Sequence, residues 1–457
     1  MEAITLKCLS AAVNGKILSG KMDTLVKSIS VDSRSIKKGQ MFFALKGSKF
    51  DGHNFIKDAV NNGAAGIVFS DTIDLSTFKQ GFSFVKVSDT LTALGGLSKT
   101  YRNKFQNIQL IALTGSNGKT TTKEMIYSIL KCRAKTACNK GNLNNRIGLP
   151  LSLLDLDSSD RYGVFEIGTS VFGEIKTLTK IVNPQAAVIT NIGYSHLETF
   201  KTLRGVYEEK VELFNNVSDD CTIIVNLDDP YLRDLTKYSN KKIITFSLTN
   251  NLADVFADNI LFENGKMSFE VFIHNNKFSV KLPAKGRMNI SNALAASAAA
   301  WSFDFSFLEI KRGLENFCPP DMRMQAETNS DKSVFVNDAY NANPSSMKES
   351  IQTVYTAYAD KEITLVLGDM LELGEEADKY HKELGQFVDK QNVKSVYLVG
   401  KKMKNAKEVL GDKAFYAENP KDLIDEIKKE SFNEKSVVLF KGSRGMKLEE
   451  IYKSLKK

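Results

Sequence analysis

The chain has 457 residues, 42% hydrophobic and 25% charged, and its 62 Lys and Arg against 54 Asp and Glu give a net charge of +8. That balance excludes a disordered or fibrous chain, and the length suits about three domains. The basic excess is scattered rather than clustered, which argues against a nucleic-acid-binding surface and suits an enzyme that handles anions. Five cysteines without paired spacing exclude a disulfide framework and a zinc cluster. No basic start followed by an apolar core marks the N-terminus, and the longest weakly polar stretch, Ala293–Trp301, is too short to span a membrane. A cytoplasmic protein is expected, with no membrane or nucleic-acid partner.

Short apolar runs alternate with helical patterns, the signature of α/β domains on mostly parallel sheets. Residues 1–86 read as a compact binding module, with strands at 29–32, 40–44 and 66–69 and a helix near 55–62. Residues 87–321 carry the densest polar motifs. Strands are expected at 110–113, 164–167, 187–191, 222–226 and 243–246, a hairpin over 269–282 turning at His274-Asn275-Asn276, and a helix over 289–301. Residues 322–457 alternate regularly, with strands at 334–337, 364–367, 395–399 and 437–441 and a closing helix over 447–455. That is the pattern of a doubly wound, Rossmann-type sheet, which binds ligands beyond its strand carboxyl ends.

The strongest local signal is Leu113-Thr-Gly-Ser-Asn-Gly-Lys-Thr-Thr-Thr122, between an apolar strand and a helix with Met125, Ile126, Ile129 and Leu130 on one face. Gly115 and Gly118 let the backbone N–H groups turn toward phosphate oxygens, and the helix N-terminus favours an anion. Lys119 is placed to reach the β- and γ-phosphates and Thr120 to ligate Mg²⁺. The common phosphate-loop pattern has a glycine where this chain has Leu113.

Glu166 ends the apolar run Val164-Phe-Glu-Ile-Gly168 and could supply an oxygen ligand to a hard cation. Asp228 and Asp369 follow apolar runs in the same way, and pattern alone does not choose among the three. His196 also follows a strand into a loop, where a structural role competes with metal ligation. Lys210, in Tyr207-Glu-Glu-Lys-Val-Glu-Leu-Phe214, reads by pattern as a solvent-facing helix lysine.

These motifs together resemble the Mur ligase family. The loop Thr114–Thr121 looks like that family's ATP-binding loop, which also lacks the glycine missing here. Further blocks follow in order along nearly the whole chain: Asp32-Ser-Arg34, Phe43-Ala-Leu-Lys-Gly47, Asp51-Gly-His53, Gly141-Asn-Leu-Asn-Asn145, Ile147-Gly-Leu-Pro150, Asn337-Asp-Ala-Tyr-Asn-Ala-Asn-Pro344, Gly368-Asp-Met-Leu-Glu-Leu-Gly374 with His381, and Lys441-Gly-Ser-Arg-Gly-Met446. The Asp-Asn-Pro-Arg motif of the family branch that adds the third peptide residue is absent.

The resemblance implies three α/β domains: a small UDP-binding module (1–86), a central, mostly parallel ATPase sheet (87–321) and a Rossmann-like domain (322–457) that binds D-alanyl-D-alanine and closes on ATP. It implies ATP-dependent amide-bond formation, through an acyl phosphate, between UDP-N-acetylmuramoyl-tripeptide and D-alanyl-D-alanine in peptidoglycan precursor synthesis, by a monomer. Carried over by position, Gly115, Ser116, Asn117, Gly118, Lys119, Thr120 and Thr121 hold the phosphates, and Asn289 and Asn292 pack on adenine. Arg323 and Asp338 contact ATP from the third domain. Thr120, Glu166, His196 and Lys210 serve two Mg²⁺ ions, with Lys210 carbamylated, which reverses its pattern-based reading. Ser33, Arg34 and Lys46 face UDP, Asn142, Asn144 and Asn145 line the muramoyl-peptide groove, and Asn341, Asn343 and Ser346 lie near D-alanyl-D-alanine. Two rivals share the phosphate loop: a folylpolyglutamate synthase-like ligase, disfavoured by the Asp32–Arg34 and Tyr340–Pro344 blocks, and a nucleic-acid-dependent ATPase or nucleotide switch.

Overall fold

Alternating apolar runs become three large sheets, beside a small antiparallel pairing of Ile4–Thr5 with Leu25–Val26, in the computed structural model, which describes residues 1–47, 50–79, 81–237, 240–263 and 266–456. Statements of number below refer to these described residues. The first sheet contains β1 (Lys16–Ser19), β2 (Ile29–Ser30), β3 (Met41–Phe43), β4 (Gly66–Phe69) and β5 (Ser83–Lys86) in the order β1-β5-β4-β3-β2. Strands β2 to β5 run parallel and β1 closes the edge antiparallel. The expected helix begins as a 3-10 turn over Gly52–Phe55, because the Asp51 carboxylate accepts the His53 N–H, and continues over Ile56–Asn61. Helix α1 (Thr90–Arg102), capped by Asp89, leads into the second unit.

The central sheet contains β6 (Gln109–Thr114), β7 (Thr136–Cys138), β8 (Tyr162–Glu166), β9 (Ala186–Ile189), β10 (Thr222–Asn226), β11 (Ile243–Ser247), β12 (Val255–Glu263), β13 (Lys266–Ile273) and β14 (Asn276–Leu282). Their order is β14-β13-β12-β11-β10-β9-β6-β8-β7. The chain steps from β6 out to one edge and then crosses to the other side, so β6 is the switch point where an α/β sheet opens a ligand crevice. Helix α2 (Lys119–Lys131) leaves β6 through the glycine-bearing loop and buries Met125, Ile126, Ile129 and Leu130. Strands β12 to β14 form an antiparallel meander whose last turn lies at the expected His274-Asn275. Strand β12 was not expected, because a register shift between Asp258 and Leu261, with Asn259 at φ 52°, breaks its alternation. Helices α3 (Glu174–Val182) and α4 (Leu203–Asn215) lie on one face, and α5 (Arg287–Trp301) packs its alanine-rich length against α2.

The third sheet contains β15 (Gln325–Thr328), β16 (Val334–Asn337), β17 (Glu362–Gly368), β18 (Ser395–Val399), β19 (Ala414–Ala417) and β20 (Ser436–Lys441) in the order β15-β16-β20-β17-β18-β19. All neighbours run parallel except β15 on β16. Leu197, Phe200 and Val206 of the central unit share one apolar cluster with Met347, Ile351 and Leu373 of the third. Burying each such side chain is worth roughly 1.5–3 kcal/mol, so this segment holds the two units together.

His381 lies fully buried beneath the loop that follows β17. Its Nδ1 donates to the Ala377 carbonyl at 2.7 Å and its Nε2 accepts the Met370 N–H at 3.0 Å, a pattern that requires the neutral ring. Burial lowers its pKa from the ordinary 6.5. The unfolded chain therefore binds the proton more readily, and this contribution to stability is full above pH 6.5 and lost as pH falls. Denaturant titrations between pH 7.5 and 5.5 should show a shallower loss of stability in His381→Gln than in the parent; equal slopes would contradict this.

Candidate active site

At Gly118, φ is +78° and a Cβ would lie 2.3 Å from Asn292 Oδ1, so only glycine fits. The loop exiting β9 braces the turn: Ser116 N–H donates to the Asn191 carbonyl at 2.9 Å and Asn117 N–H to Asn191 Oδ1 at 2.9 Å. The Thr190 hydroxyl donates to the Asn117 carbonyl at 2.6 Å. Lys119 Nζ folds back onto the Gly115 and Ser116 carbonyls, at 2.7 and 3.2 Å. Burial holds its pKa below the usual lysine value; Glu166 opposes that shift and Arg323 adds to it.

Strand β8 lies beside β6, which carries Glu166 to the phosphate loop. Thr120 Oγ1 donates to Glu166 Oε2 at 2.8 Å and Asn144 Nδ2 to Oε1 at 2.8 Å. Asp228 and Asp369, the other two carboxylates suggested by pattern, have different work. Asp228 accepts Leu248 N–H and the Thr249 and Ser247 hydroxyls, while Asp369 accepts Met403 and Lys402 N–H in the third unit. Lys210 is only 1% exposed and points from α4 into the same cavity. Burial drives its pKa well below the usual value and neighbouring Lys119 pushes the same way, against Glu209 and Glu166. The solvent-facing reading of Lys210 is thereby corrected: the helix turns this residue inward.

A cavity of about 290 Å³ lies between the central and third units. Ser116, Asn117, Gly118, Lys119, Glu166, His196 and Lys210 line it from one side, with Asn142, Asn144 and Asn145. Arg323, Asp338, Asn341, Asn343, Ser346 and Lys441 line it from the other. Hydrogen bonds cross the gap at the phosphate loop, from Arg323 Nη2 to Thr120 Oγ1 at 3.0 Å and from Asn343 Nδ2 to Asn117 Oδ1 at 2.7 Å. His196, at φ 51°, pairs through Nδ1 with Glu372 Oε2 at 2.7 Å, and that bond lowers the Glu372 pKa. With Nδ1 paired to Glu372, Nε2 is the ring nitrogen left for another partner. A second, more apolar cavity of about 450 Å³ adjoins Asn117, lined by Asn226, Asp228, Leu248, Phe262 and Met288 among others. Its size suits a nucleoside. A phosphate loop between a nucleoside-sized cleft and a cation-lined chamber is equipped to move a phosphoryl group onto an acceptor.

Family models cover most of the chain: "Mur ligase family, catalytic domain" over residues 25–102, "Mur ligase middle domain" over 113–300 and "Mur ligase, glutamate ligase domain" over 322–444. The chain is 35% identical to the UDP-N-acetylmuramoyl-tripeptide--D-alanyl-D-alanine ligase of Bacillus subtilis, covering 99% of this chain and 98% of that one. The chain belongs to the Mur ligase family. Among solved structures it is similar to MurF from Acinetobacter baumannii, with TM-score 0.92 and 31% identity over 100% of this chain and 99% of that one. It is also similar to MurF ligase from Thermotoga maritima in complex with ADP, with TM-score 0.82 and 27% identity over 93% and 96%.

The remaining residues singled out in this Mur ligase lie apart from the chamber. Asn289 and Asn292 are buried behind the phosphate loop, Asn292 donating to Asn289 Oδ1 and Asn289 to the Lys285 carbonyl. Their neighbours Met288 and Ser291 line the nucleoside-sized cleft instead. Thr121 is buried in the first turn of α2. Ser33, Arg34 and Lys46 sit at the carboxyl edge of the first sheet, where Arg34 pairs with Asp32 at 2.7 Å and Lys46 with Asp71 at 3.0 Å. Among the groups at the site not anticipated as site residues, two carry charge. Lys441 enters the chamber from the end of β20, bonded to Asp338 Oδ2 at 2.7 Å, and Glu372 reaches His196. Both lay in quoted motifs, Lys441-Gly-Ser-Arg and Gly368-Asp-Met-Leu-Glu, but only the meeting of two units gives them partners.

Lys119→Ala should lower turnover at least about a hundredfold, the scale of losing one donor to a developing anion. Melting without nucleotide should hold or rise slightly, because a half-buried cation near Arg323 and Lys210 is removed, while stabilisation by ATP is lost. Turnover near that of the parent chain would contradict the role given to the loop.

Proposed function

We propose that this Mur ligase joins D-alanyl-D-alanine to UDP-N-acetylmuramoyl-tripeptide with conversion of ATP to ADP and phosphate. The observation that carries this reading is the convergence of Lys119, Lys210, Arg323 and Lys441 on one chamber beside a nucleoside-sized cleft. The end-to-end match to a relative named for that reaction supplies the substrates. Residues 1–86 hold the UDP moiety through Ser33, Arg34 and Lys46, residues 87–321 hold ATP, and residues 322–457 bring the D-alanyl-D-alanine site. All the cationic side chains of the chamber come from within this chain, and we take the working unit to be a monomer. We place the protein in the cytoplasm, where its nucleotide substrates are found; no helix of the described residues is long and apolar enough to cross a membrane.

The donor set fits Mg²⁺. Glu166, the Thr120 hydroxyl and His196 Nε2 would hold it, and the depressed pKa of Lys210 favours the neutral amine that reacts with CO₂ to give a carbamate and a proton. Bound there, two Mg²⁺ ions would offset the charge on the transferring phosphoryl oxygens. The chain's own groups carry the rest. Lys119 leaves the Gly115 and Ser116 carbonyls for the phosphates, and Arg323 and Lys441 approach from the third unit to screen the repulsion between triphosphate and tripeptide carboxylate. The carboxylate oxygen attacks the γ-phosphorus and ADP leaves. The amine of D-alanyl-D-alanine then attacks the acyl carbon, forming the peptide bond as phosphate departs and the amine gives up a proton. Asn142, Asn144 and Asn145 orient the tripeptide end, and Asn341, Asn343 and Ser346 the dipeptide. The apposed units exclude water, which protects the acyl phosphate.

Phosphate release should require both organic substrates together with ATP; brisk hydrolysis of ATP alone would contradict a ligase. Lys210→Ala should be nearly inactive in that assay and partly restored by short carboxylic acids, which replace the missing anion. Full activity of Lys210→Ala without additive would remove the carbamate.

A further inference from the structure

The backbone pairing of β7 with β8 stops at Cys138, opposite Val164. Beyond it the side chain of Asn139 takes over. Its Oδ1 accepts the Glu166 N–H at 2.9 Å, and its Nδ2 donates to the Glu166 carbonyl at 2.9 Å. The same Nδ2 reaches the Leu143 carbonyl at 2.9 Å, inside the asparagine-bearing loop. Asn139 has no exposed surface. Its own carbonyl accepts a hydrogen bond from Lys123 Nζ at 2.6 Å.

Lys123 is an unusual residue to find there. It is fully buried on α2, one turn beyond Thr120, and its ammonium also meets Glu124 at 2.9 Å. A buried cation is costly where an apolar side chain of the same length would pack. Two chains of bonds now run from α2 to Glu166. One goes from Thr120 to the carboxylate; the other goes from Lys123 through Asn139 to the Glu166 backbone. Asn144 closes the circuit by donating to the carboxylate from the loop that Asn139 holds.

We infer that Asn139, held by Lys123, is a positioning residue that fixes the Glu166 carboxylate and the 141–145 loop as one unit, coupling the metal side of the chamber to the muramoyl-peptide side. The inference rests on the proposed metal role of Glu166. Groups of this kind, one bond removed from a ligand, change metal affinity about 10–100-fold when lost.

The test uses the full chain with Lys123→Met, Asn139→Asp and, as the reference, Glu166→Gln. Mn²⁺ binding in the presence of ADP, read by electron paramagnetic resonance, should weaken about tenfold or more in both Lys123→Met and Asn139→Asp. The KM for UDP-N-acetylmuramoyl-tripeptide should rise while the KM for ATP stays within about twofold, a split that general loss of folded protein does not produce. Amide exchange of peptides covering 139–147 should quicken. If Glu166→Gln loses Mn²⁺ affinity while both other variants keep parental Mn²⁺ binding and KM values, the clamp is overturned and the role of Glu166 stands. If the number of Mn²⁺ sites and the turnover per total protein fall only in proportion to the unfolded fraction, with Mn²⁺ affinity and both KM values unchanged, Asn139 is merely structural. If Glu166→Gln itself binds Mn²⁺ normally, the metal role fails and the inference falls with it.

Discussion

A triphosphate and a carboxylate repel each other, and in this reading they must come within bonding distance before any chemistry occurs. The placement of positive charge that permits this is the constraint on which the chamber depends. Lys119 and Lys210 come from the central unit, and Arg323 and Lys441 from the third. Such a concentration of cations is self-repelling without its anions, and the structure shows how it is tolerated. Lys119 leans on loop carbonyls, Lys441 is paired with Asp338, Arg323 lies over the Tyr340 ring with its Cζ 4.2 Å from the centroid, and burial drives Lys210 toward its neutral form. Each arrangement is one that a bound anion or metal could displace or exploit.

The two halves of the chamber meet through groups of different kinds. The apolar contact of Leu197, Phe200 and Val206 with the core of the third unit is non-directional and supplies adhesion. The Arg323–Thr120 and Asn343–Asn117 hydrogen bonds are directional and set register at the phosphate loop itself. Glu372 adds a third link, orienting His196 from across the boundary. Separating the units would therefore remove half the cations and release His196 at once, so a closed arrangement and a complete site are one condition.

Much of this was legible in the sequence, for reasons that differ by residue. The phosphate loop has fixed spacing because backbone N–H groups must converge on one anion, so Gly115, Gly118, Lys119 and Thr120 could be read directly. The choice among Glu166, Asp228 and Asp369 could not, since all three end apolar strands; only the adjacency of β8 to β6 separates them. Lys210 was misread by pattern because charged neighbours on α4 mimic a solvated face, and only the packed fold shows that this residue faces the chamber. Strand β12 was hidden by its bulge. Asn139, Glu372 and Lys441 acquire meaning only from partners distant in sequence, which no local pattern contains.

The central claim is that the acceptor carboxylate is itself phosphorylated. UDP-N-acetylmuramoyl-tripeptide labelled with ¹⁸O in its terminal carboxylate, turned over with ATP and D-alanyl-D-alanine, tests it directly. The account predicts one ¹⁸O in each phosphate released, read by mass spectrometry or by the isotope shift of the phosphorus resonance. Phosphate free of label, with normal formation of the peptide product, would contradict it.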